Sequence, residues 1–310
     1  MKIVFLGPLE SFNSLRKKIN NRFDLVFSKP DKNELSLKLD SADALIDASM
    51  KVALDDFLLR SSKLRVISTA TTGSDHIDFE SAKKNNIKIF TLKDDKDILK
   101  NLTPAAELTW ALLMALSRNL TSASKHVLDG KWNREEFPGI MLKGKTLGIV
   151  GCGRIGQWVS KYANSFGMQI LGYDPFLDKW PNQIKKTKLN QLFRDSDFIT
   201  IHVHLSTETE GMINKDLLSI VKPNCIIINT SRGGLIDEME LLAGLKSGKI
   251  AGAGLDVLKS EPDIKENPLV QYAKKNANLI ITPHCGGFSL DAVNIVCQRA
   301  INKAINFLEN

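Results

Sequence analysis

Residues 146–174 read TLGIVGCGRIGQWVSKYANSFGMQILGYD, and this stretch decides the fold. The short apolar run from Thr146 to Val150 predicts a strand. The segment from about Ile155 to Phe166 has the spacing of an amphipathic helix, and the run from Gln169 to Tyr173 predicts a second strand. A strand, a crossover helix and a second strand together form one unit of a parallel α/β sheet.

Three glycines occupy the turn between the first strand and the helix, in the pattern Gly151-x-Gly153-x-x-Gly156. Gly151 permits the tight turn, Gly153 lets backbone N–H groups approach a pyrophosphate, and Gly156 lets the helix pack on the strand. The N-terminus of the helix adds the positive end of its dipole. Glycines in this pattern also occur in simple packing turns, but the complete strand–turn–helix–strand context favours dinucleotide binding.

A carboxylate, Asp174, follows the second strand. In a dinucleotide-binding unit, a carboxylate at this place accepts hydrogen bonds from the adenosine ribose hydroxyls. Because it also repels a 2′-phosphate, the sequence favours NAD over NADP as the cofactor. The alternative is an aspartate that only caps the next segment, beside Pro175.

Apolar runs of strand length alternate with helix-period segments nearly from one end of the chain to the other, which is typical of parallel α/β sheets. We predict an α/β fold of two Rossmann-like doubly wound domains. The NAD-binding domain, 102–285, is inserted into a flavodoxin-like substrate domain that begins with 1–101, and 286–310 form a helix that returns to the substrate domain. The strand-like runs are KIVFLG, DLVF, DALIDA, LRVISTA, IKIFTL, TLGIVG, QILGYD, DFITIHV, CIIINT, IAGAGLDV and NLIITPH.

The segment TPAAELTWALLMALSRNL, residues 103–120, predicts one long and largely buried helix. Thr103 suits the N-cap, Pro104 the first helical position and Glu107 the first turn. Near the other end of the chain, Ser289 is the predicted cap of the final helix.

The composition is that of an ordinary soluble protein, with 43% hydrophobic and 25% charged residues. The net charge is +7, but the basic residues form scattered short pairs and no stripe with aromatics, so we predict no nucleic-acid partner. No apolar run approaches the ~20 residues that span a bilayer, so we predict no membrane segment. The four cysteines lie far apart without a CxxC pair, which favours reduced thiols, mostly buried, and a cytoplasmic location.

Three polar residues follow predicted strands of the NAD-binding domain: Arg232 after CIIIN, Glu261 after IAGAGLDV and His284 after NLIIT. The carboxyl ends of parallel strands line the crevice where ligands bind, so we expect these residues to converge there. A ketone that accepts a hydride becomes an alkoxide, which needs a proton, and histidine can supply it. A carboxylate fixes the tautomer of the imidazole, and an arginine clamps a substrate carboxylate and polarises the adjacent carbonyl.

Each member of this trio also has a simpler interpretation when it is taken alone. Arg232 could form a surface ion pair, Glu261 could be a turn residue before Pro262, and His284 could be a satisfied core histidine. Together on a dinucleotide-binding fold, the three favour catalysis.

The remaining histidines carry weaker signals. His202 and His204 alternate at a strand end, but without a third ligand nearby they make a poor zinc site, so we predict no metal. A structural or cofactor-proximal role is expected for both. We interpret His76 and His126 as ordinary polar residues, one near a loop and one on a helix.

Five motifs give the chain a resemblance to a known family, and the order and spacing of the last four make the match specific. TTGSDHID is followed by GKTLGIVGCGRIGQ, by NTSRGGLIDE around Arg232, by AGLDVLKSEP around Glu261 and by TPHCGG around His284. In these motifs, which extend over nearly the whole chain, the sequence resembles the D-isomer-specific 2-hydroxyacid dehydrogenases, the family of glycerate, lactate and phosphoglycerate dehydrogenases.

The resemblance implies NAD-dependent interconversion of a small 2-oxo acid and its D-2-hydroxy acid. It implies Arg232 as the residue that binds substrate and polarises the carbonyl, His284 as the acid/base and Glu261 as its partner. Backbone N–H groups around Thr72 and Gly73 would receive the substrate carboxylate.

The resemblance also implies a homodimer formed through the nucleotide domains, with the HVLDGKW region reaching across. It implies cofactor contacts at Arg154, Ile155, Asp174, Thr230, Asp256 and Gly286.

The chain departs from the family in places that leave alternatives open. Phosphoglycerate dehydrogenases tend to carry an arginine soon after the strand read here as ALIDASMK, where the nearby cation is Lys51. His204 replaces a common proline, and LKDDKDILKNLTP stands where many members read NTPNGNS. The alternatives are a D-3-phosphoglycerate dehydrogenase, a formate- or phosphite-type oxidoreductase, and, from another class, an NAD(H)-sensing binding protein that keeps the trio without turnover.

Overall fold

The structure is a computed structural model that describes residues 1–60 and 63–310. These residues form two units, Met1–Leu102 with Phe288–Asn310, and Thr103–Gly287. Each unit is built on a parallel sheet, so the predicted α/β fold class is confirmed. In the described part of the chain, no helix is long and apolar enough to cross a membrane.

The sheet of the first unit has five strands. They are β1 (Lys2–Leu6), β2 (Asp24–Ser28), β3 (Ala44–Asp47), β4 (Val66–Thr69) and β5 (Lys88–Phe90). Their order is β2-β1-β3-β4-β5, which is the flavodoxin-like order. Alternate residues of β1 enter different apolar clusters, with Phe5 in one and Val4 in the other. The sheet is therefore buried on both faces, as its near-continuous apolar runs predict.

The helices of the first unit are α1 (Leu9–Arg16), α2 (Lys32–Leu39), α3 (Asp56–Leu59), α4 (Phe79–Lys84), α5 (Lys96–Leu99) and the final helix α13 (Leu290–Glu309). Aspartates cap three of them, because Asp31, Asp55 and Asp78 each accept a backbone N–H from the first turn. The predicted cap of α13 is confirmed, since Ser289 accepts the N–H of Ala292 at 3.4 Å.

The sheet of the second unit has seven strands. They are β6 (Thr146–Val150), β7 (Gln169–Tyr173), β8 (Lys185–Lys186), β9 (Phe198–Ile201), β10 (Cys225–Asn229), β11 (Ile250–Leu255) and β12 (Leu279–Ile281). Their order is β12-β11-β10-β9-β6-β7-β8. The order reverses at β6, and in doubly wound sheets the ligand crevice lies outside the carboxyl ends of the strands at this switch point.

Strand β10 shows how the sequence builds this sheet. All five residues of CIIIN are buried, with Ile227 in one apolar cluster and Ile226 and Ile228 in the other. Asn229 ends the strand and turns the chain, because its side chain accepts the Ser231 N–H at 3.0 Å and donates to the Arg232 carbonyl at 2.9 Å. The buried run therefore stops at the place where Arg232 begins its loop.

The helices of the second unit are α6 (Pro104–Ser117), α7 (Leu120–Leu128), α8 (Arg154–Ser165), α9 (Leu189–Asp195), α10 (Lys215–Ser219), α11 (Glu238–Lys246) and α12 (Pro268–Ala273), with short 3₁₀ turns at Arg134–Glu136 and Gly233–Leu235. The single helix predicted over 103–120 is wrong at its end. Asn119 adopts a left-handed conformation (φ 50°) and its side chain donates to the Pro138 carbonyl, so the chain breaks into α6 and α7 there.

Thr103 occupies the cap position of α6, but its side chain accepts no capping N–H. Its backbone is near-helical (φ −106°, ψ −11°), whereas an N-cap residue is typically extended. The hydroxyl donates instead to the Glu107 carboxylate at 2.5 Å.

The cysteines follow the prediction of reduced, mostly buried thiols. All four are free, and Cys152, Cys225 and Cys297 are buried. Burial raises the pKa of these three thiols to about 12, so they are inert in this fold.

Candidate active site

The glycine turn between β6 and α8 combines two packing glycines with one open glycine. A Cβ on Gly151 (φ 88°) would lie 2.5 Å from the His202 carbonyl oxygen, and one on Gly156 would lie 2.3 Å from the Gly151 carbonyl oxygen. Gly153 differs, because a Cβ built there meets no heavy atom within 4 Å. No neighbour requires a glycine at this position, and the space in front of it, at the N-terminus of α8, is open. The turn Gly151–Gly156, called the glycine cradle below, can therefore accept a phosphate group.

Arg154 and Ile155 form the first turn of α8, directly behind this cradle. The N–H groups of a first helical turn have no acceptor within the helix, so they can bind an anion. Burial lowers the pKa of the Arg154 guanidinium from its ordinary value. The structure thus places both predicted cofactor residues beside the predicted phosphate position.

Asp174 is held against the glycine turn. Its Oδ2 accepts the Cys152 N–H at 2.9 Å and its Oδ1 accepts the Phe176 N–H at 2.9 Å. The carboxylate is therefore oriented by the backbone on either side of it, and it stands at the end of β7 where a ribose would approach.

Thr230, another predicted cofactor residue, is buried and forms a hydroxyl pair that the sequence did not reveal. Its Oγ1 lies 2.7 Å from the Oγ1 of Thr109 on α6. Thr109 already donates to the Ala105 carbonyl at 2.7 Å, so Thr230 must be the donor in the pair. The Thr230 hydroxyl is left with acceptor capacity, so it can receive an N–H or O–H from a ligand.

The three residues of the predicted catalytic trio follow three neighbouring strands. Arg232 comes after β10, Glu261 after β11 and His284 after β12, and these strands are adjacent in the order β12-β11-β10. Parallel pairing places all three at the carboxyl edge of one sheet, the same edge as the glycine turn.

His284 and Glu261 are in direct contact. The Nδ1 of His284 lies 2.8 Å from the Oε1 of Glu261, and the two side chains are 34% and 31% exposed. Because a carboxylate can only accept, Nδ1 carries the hydrogen. The carboxylate therefore reserves Nε2 for proton exchange with a substrate.

Asp256 organises the backbone that carries His284. This carboxylate is 1% exposed and accepts three hydrogen bonds, from the Thr282 hydroxyl at 2.5 Å, the Cys285 N–H at 2.9 Å and the Gly286 N–H at 2.7 Å. The Asp256 carbonyl also accepts the His284 N–H at 2.8 Å. These bonds hold His284 in a left-handed conformation (φ 52°), which is rare for a residue with a Cβ.

The loop of Arg232 packs tightly on the loop of Glu261. A Cβ on Gly233 would lie 2.1 Å from the Leu258 carbonyl carbon and 2.3 Å from the Lys259 nitrogen, so only glycine allows this approach. Arg232 itself is half-buried, and its Nη1 donates to the Ser231 carbonyl at 2.8 Å. The glycine after the arginine is a packing residue for the trio, a role that the sequence motif alone did not indicate.

Thr72 and Gly73 lie in the loop after β4 of the first unit. Thr71 Oγ1 donates to the Gly73 carbonyl at 2.7 Å and Thr69 Oγ1 donates to the Thr71 carbonyl at 3.1 Å, so side chains order the loop. Among residues 1–60 and 63–310, the N–H groups of Thr72 and Gly73 have no acceptor. Two adjacent donors of this kind suit a carboxylate.

The other histidines divide into one exposed and three enclosed side chains. His204 is exposed, whereas both ring nitrogens of His202 are buried without a partner among the described residues. Burial lowers the pKa of His202 to about 3, so its ring is neutral at physiological pH. The described residues contain no cluster of three metal-ligating side chains.

The prediction that His76 lies near a loop and His126 on a helix is confirmed, but both side chains are more enclosed than ordinary polar residues. His126 is 8% exposed on α7 and its Nε2 accepts the Asn133 N–H at 3.2 Å. His76 is enclosed against the buried carboxylate of Asp47, with Nε2 2.7 Å from Oδ2. Asp47 is 29 residues from His76 in the sequence and Asn133 lies beyond the end of the helix of His126, so the local pattern around each histidine did not reveal these contacts.

The fold and the geometry of these residues define a two-unit α/β protein with a dinucleotide-binding unit. Residues 110–286 match the model of the NAD binding domain of the D-isomer specific 2-hydroxyacid dehydrogenases. The chain belongs to this family, and NAD is the cofactor of the matched domain.

Individual relatives agree with this assignment. D-3-phosphoglycerate dehydrogenase of Methanocaldococcus jannaschii is 41% identical over 265 residues, which cover 84% of this chain and 49% of that protein. Hydroxypyruvate reductase of Thermotoga maritima is 35% identical over 273 residues, which cover 88% of this chain and 87% of that protein. The solved structure of the TT0316 protein from Thermus thermophilus has a TM-score of 0.86 and 31% identity, and the alignment covers 100% of this chain and 97% of that one. The chain spans about half the length of the phosphoglycerate dehydrogenases that it matches.

The position of Asp174 predicts the cofactor preference. The Asp174→Ala substitution removes the charge that repels a 2′-phosphate. The preference for NADH over NADPH, measured as the ratio of the two kcat/KM values, should therefore fall about tenfold or more. Because the carboxylate also orients the glycine turn, Asp174→Asn serves as the matched variant that keeps an acceptor but loses the charge. An unchanged ratio in both variants would show that Asp174 does not select the cofactor.

Proposed function

We propose that this chain interconverts a small 2-oxo acid and its D-2-hydroxy acid by hydride transfer with NAD. The observation that carries the proposal is the hydrogen-bonded pair of His284 and Glu261 at the carboxyl edge of the sheet that also bears the glycine cradle. A histidine whose tautomer is fixed by a carboxylate, beside a dinucleotide cradle, is suited to proton exchange during ketone reduction.

In this proposal His284 is the acid/base. Bound NADH supplies the hydride in the direction of reduction. His284 gives its Nε2 proton to the oxygen that was the carbonyl, and it takes the proton back in the direction of oxidation. Glu261 accepts the Nδ1 hydrogen of His284 at 2.8 Å, which fixes the tautomer of the ring and leaves Nε2 as the atom that exchanges the proton.

Arg232 binds the substrate in this proposal. Its planar guanidinium can pair with a carboxylate through two donors and, at the same time, polarise the neighbouring carbonyl. The N–H groups of Thr72 and Gly73, which have no acceptor among the described residues, are proposed to bind a substrate carboxylate as well.

The substrate class is an unphosphorylated 2-oxo acid of the kind that hydroxypyruvate represents. The hydroxypyruvate reductase relative aligns over 87% of its length, and the loop at 48–51 carries a single cation, the exposed Lys51. A phosphorylated acid such as 3-phosphohydroxypyruvate is the second candidate, favoured by the 41% identity to a phosphoglycerate dehydrogenase. Strong turnover with the phosphorylated acid alone would select the second candidate.

We also propose that the chain forms a homodimer, in the cytoplasm as the sequence predicts. Exposed apolar side chains gather on and after α7, with Leu120 60%, Leu128 84% and Trp132 89% exposed. Large apolar side chains so exposed together are typical of a protein interface. Light scattering should give the mass of a dimer for the wild type and of a monomer for Leu128→Asp, and a monomeric wild type would contradict the proposal.

The role of His284 predicts a specific kinetic defect. His284→Ala should lower kcat by about 10²- to 10⁴-fold, because that is the usual contribution of a general acid, while NADH affinity is retained. Stopped-flow absorbance measures turnover and fluorescence titration measures NADH binding. The control is Lys246→Ala, which removes an exposed side chain at the C-terminal end of α11 in the same unit and should leave both quantities unchanged. Near-wild-type turnover in His284→Ala would end the assignment.

A further inference from the structure

Asp47 is a buried acid in the first unit that the proposed reaction does not use. It is the last residue of β3, its side chain is 0% exposed, and it stands at the carboxyl edge of the sheet. A carboxylate is almost never buried to this degree without partners that satisfy both oxygens. Both oxygens of Asp47 do have partners, and the partners lie in two different loops.

The first oxygen holds the loop that follows β3. Oδ1 accepts the Ser49 N–H at 2.8 Å, the Ser49 hydroxyl at 3.2 Å and the Met50 N–H at 3.3 Å. Met50 has a left-handed backbone (φ 54°), which is costly for a residue with a long side chain. The carboxylate therefore holds the turn in which Met50 takes this conformation.

The second oxygen holds the loop that follows β4. Oδ2 lies 2.7 Å from Nε2 of His76, whose side chain is 9% exposed. Because the carboxylate only accepts, Nε2 carries the hydrogen. The His76 carbonyl also accepts the Leu54 N–H at 2.7 Å, so both the side chain and the backbone of His76 are held.

Asp47 thus binds the β4 loop at both of its ends. At the start of the loop the Asp47 carbonyl accepts the Ala70 N–H at 2.8 Å, and at its end the Asp47 carboxylate accepts His76. Between these two anchors lie Thr72 and Gly73, the residues whose N–H groups have no acceptor in the described part of the chain. One acidic residue fixes the segment that offers the two donors.

We propose that Asp47 and His76 are positioning residues that hold the N–H groups of Thr72 and Gly73 in place for the substrate carboxylate. This inference rests on the function proposed above. The pair touches no reacting atom and acts through the loop. Loss of the His76 side chain removes one of the two holds on the end of the loop and leaves a buried carboxylate without its partner, so the two donors are less firmly oriented.

The pair therefore sets the affinity for the 2-oxo acid and leaves the binding of NADH unaffected, since NADH is assigned to the other unit. An interaction made equally in the ground state and the transition state changes KM and leaves kcat nearly constant. A pair that only stabilises the first unit would instead lower the melting temperature of the protein without changing KM.

Three substitutions of His76 separate these possibilities. His76→Gln keeps an amide N–H at the distance of Nε2, His76→Asn has the same amide one bond shorter, and His76→Leu has no donor. Asp43→Asn is the matched control, because Asp43 accepts the Lys2 N–H at 2.7 Å at the opposite end of the same sheet. For each variant the measurements are kcat, KM for the best 2-oxo acid, Kd for NADH and the melting temperature.

We expect KM for the 2-oxo acid to rise about tenfold or more in His76→Leu and His76→Asn, with kcat and the Kd for NADH within about twofold of wild type. His76→Gln should recover most of the loss, and Asp43→Asn should match wild type. If His76→Leu does not fold, the comparison of His76→Gln with His76→Asn decides by itself.

Equal KM values in His76→Gln, His76→Asn and wild type would overturn the positioning role, as would a parallel loss of NADH affinity. The wild-type assay separates this outcome from a failure of the proposed function. If wild-type protein turns over no 2-oxo acid, the proposed function fails, whereas normal wild-type turnover with unaltered KM in the variants refutes only the pair's role.

Discussion

Parallel hydrogen bonding between β10, β11 and β12 is the constraint on which the site depends. Residues that follow parallel strands meet at one edge of the sheet, so Arg232, Glu261 and His284 share an edge although they are distant in the sequence. The same edge carries the glycine turn after β6, because all strands of the unit run in one direction. The sheet therefore determines where these side chains lie, and the loop after each strand contributes only the few residues that lead from the strand to the side chain.

Buried carboxylates fix those last residues in both units. Asp256 accepts three hydrogen bonds from the segment 282–286 and so holds His284 at a positive φ. Asp47 accepts hydrogen bonds from the loops after β3 and β4 and holds Met50 at a positive φ. In each case hydrogen bonds to a charged acceptor offset the cost of an unfavourable backbone conformation.

The fold could be predicted from the sequence because its determinants are local. Apolar runs such as CIIIN identify the strands, and Ser289 identifies the start of the last helix. The features that escaped prediction depend on distant partners or on a single backbone angle. The enclosure of His76 requires Asp47, the donor role of Thr230 requires Thr109, and the break after α6 depends on the left-handed angle of Asn119. For the candidate site, the motifs predicted which residues stand at the sheet edge. They named Asp256 only as a cofactor contact, not as the carboxylate that holds the segment of His284, and they did not name Asp47.

The most direct test of the proposed function is the loss of NADH absorbance when purified protein meets a panel of 2-oxo acids. The panel contains glyoxylate, hydroxypyruvate, pyruvate, branched 2-oxo acids and 3-phosphohydroxypyruvate, with formate and phosphite tested in the direction of NAD reduction. The proposed function predicts steady turnover of at least one unphosphorylated 2-oxo acid, with the D-hydroxy acid as product, and no turnover of formate or phosphite. Tight NADH binding with no turnover across the panel would contradict it and favour a protein that senses the dinucleotide without catalysis.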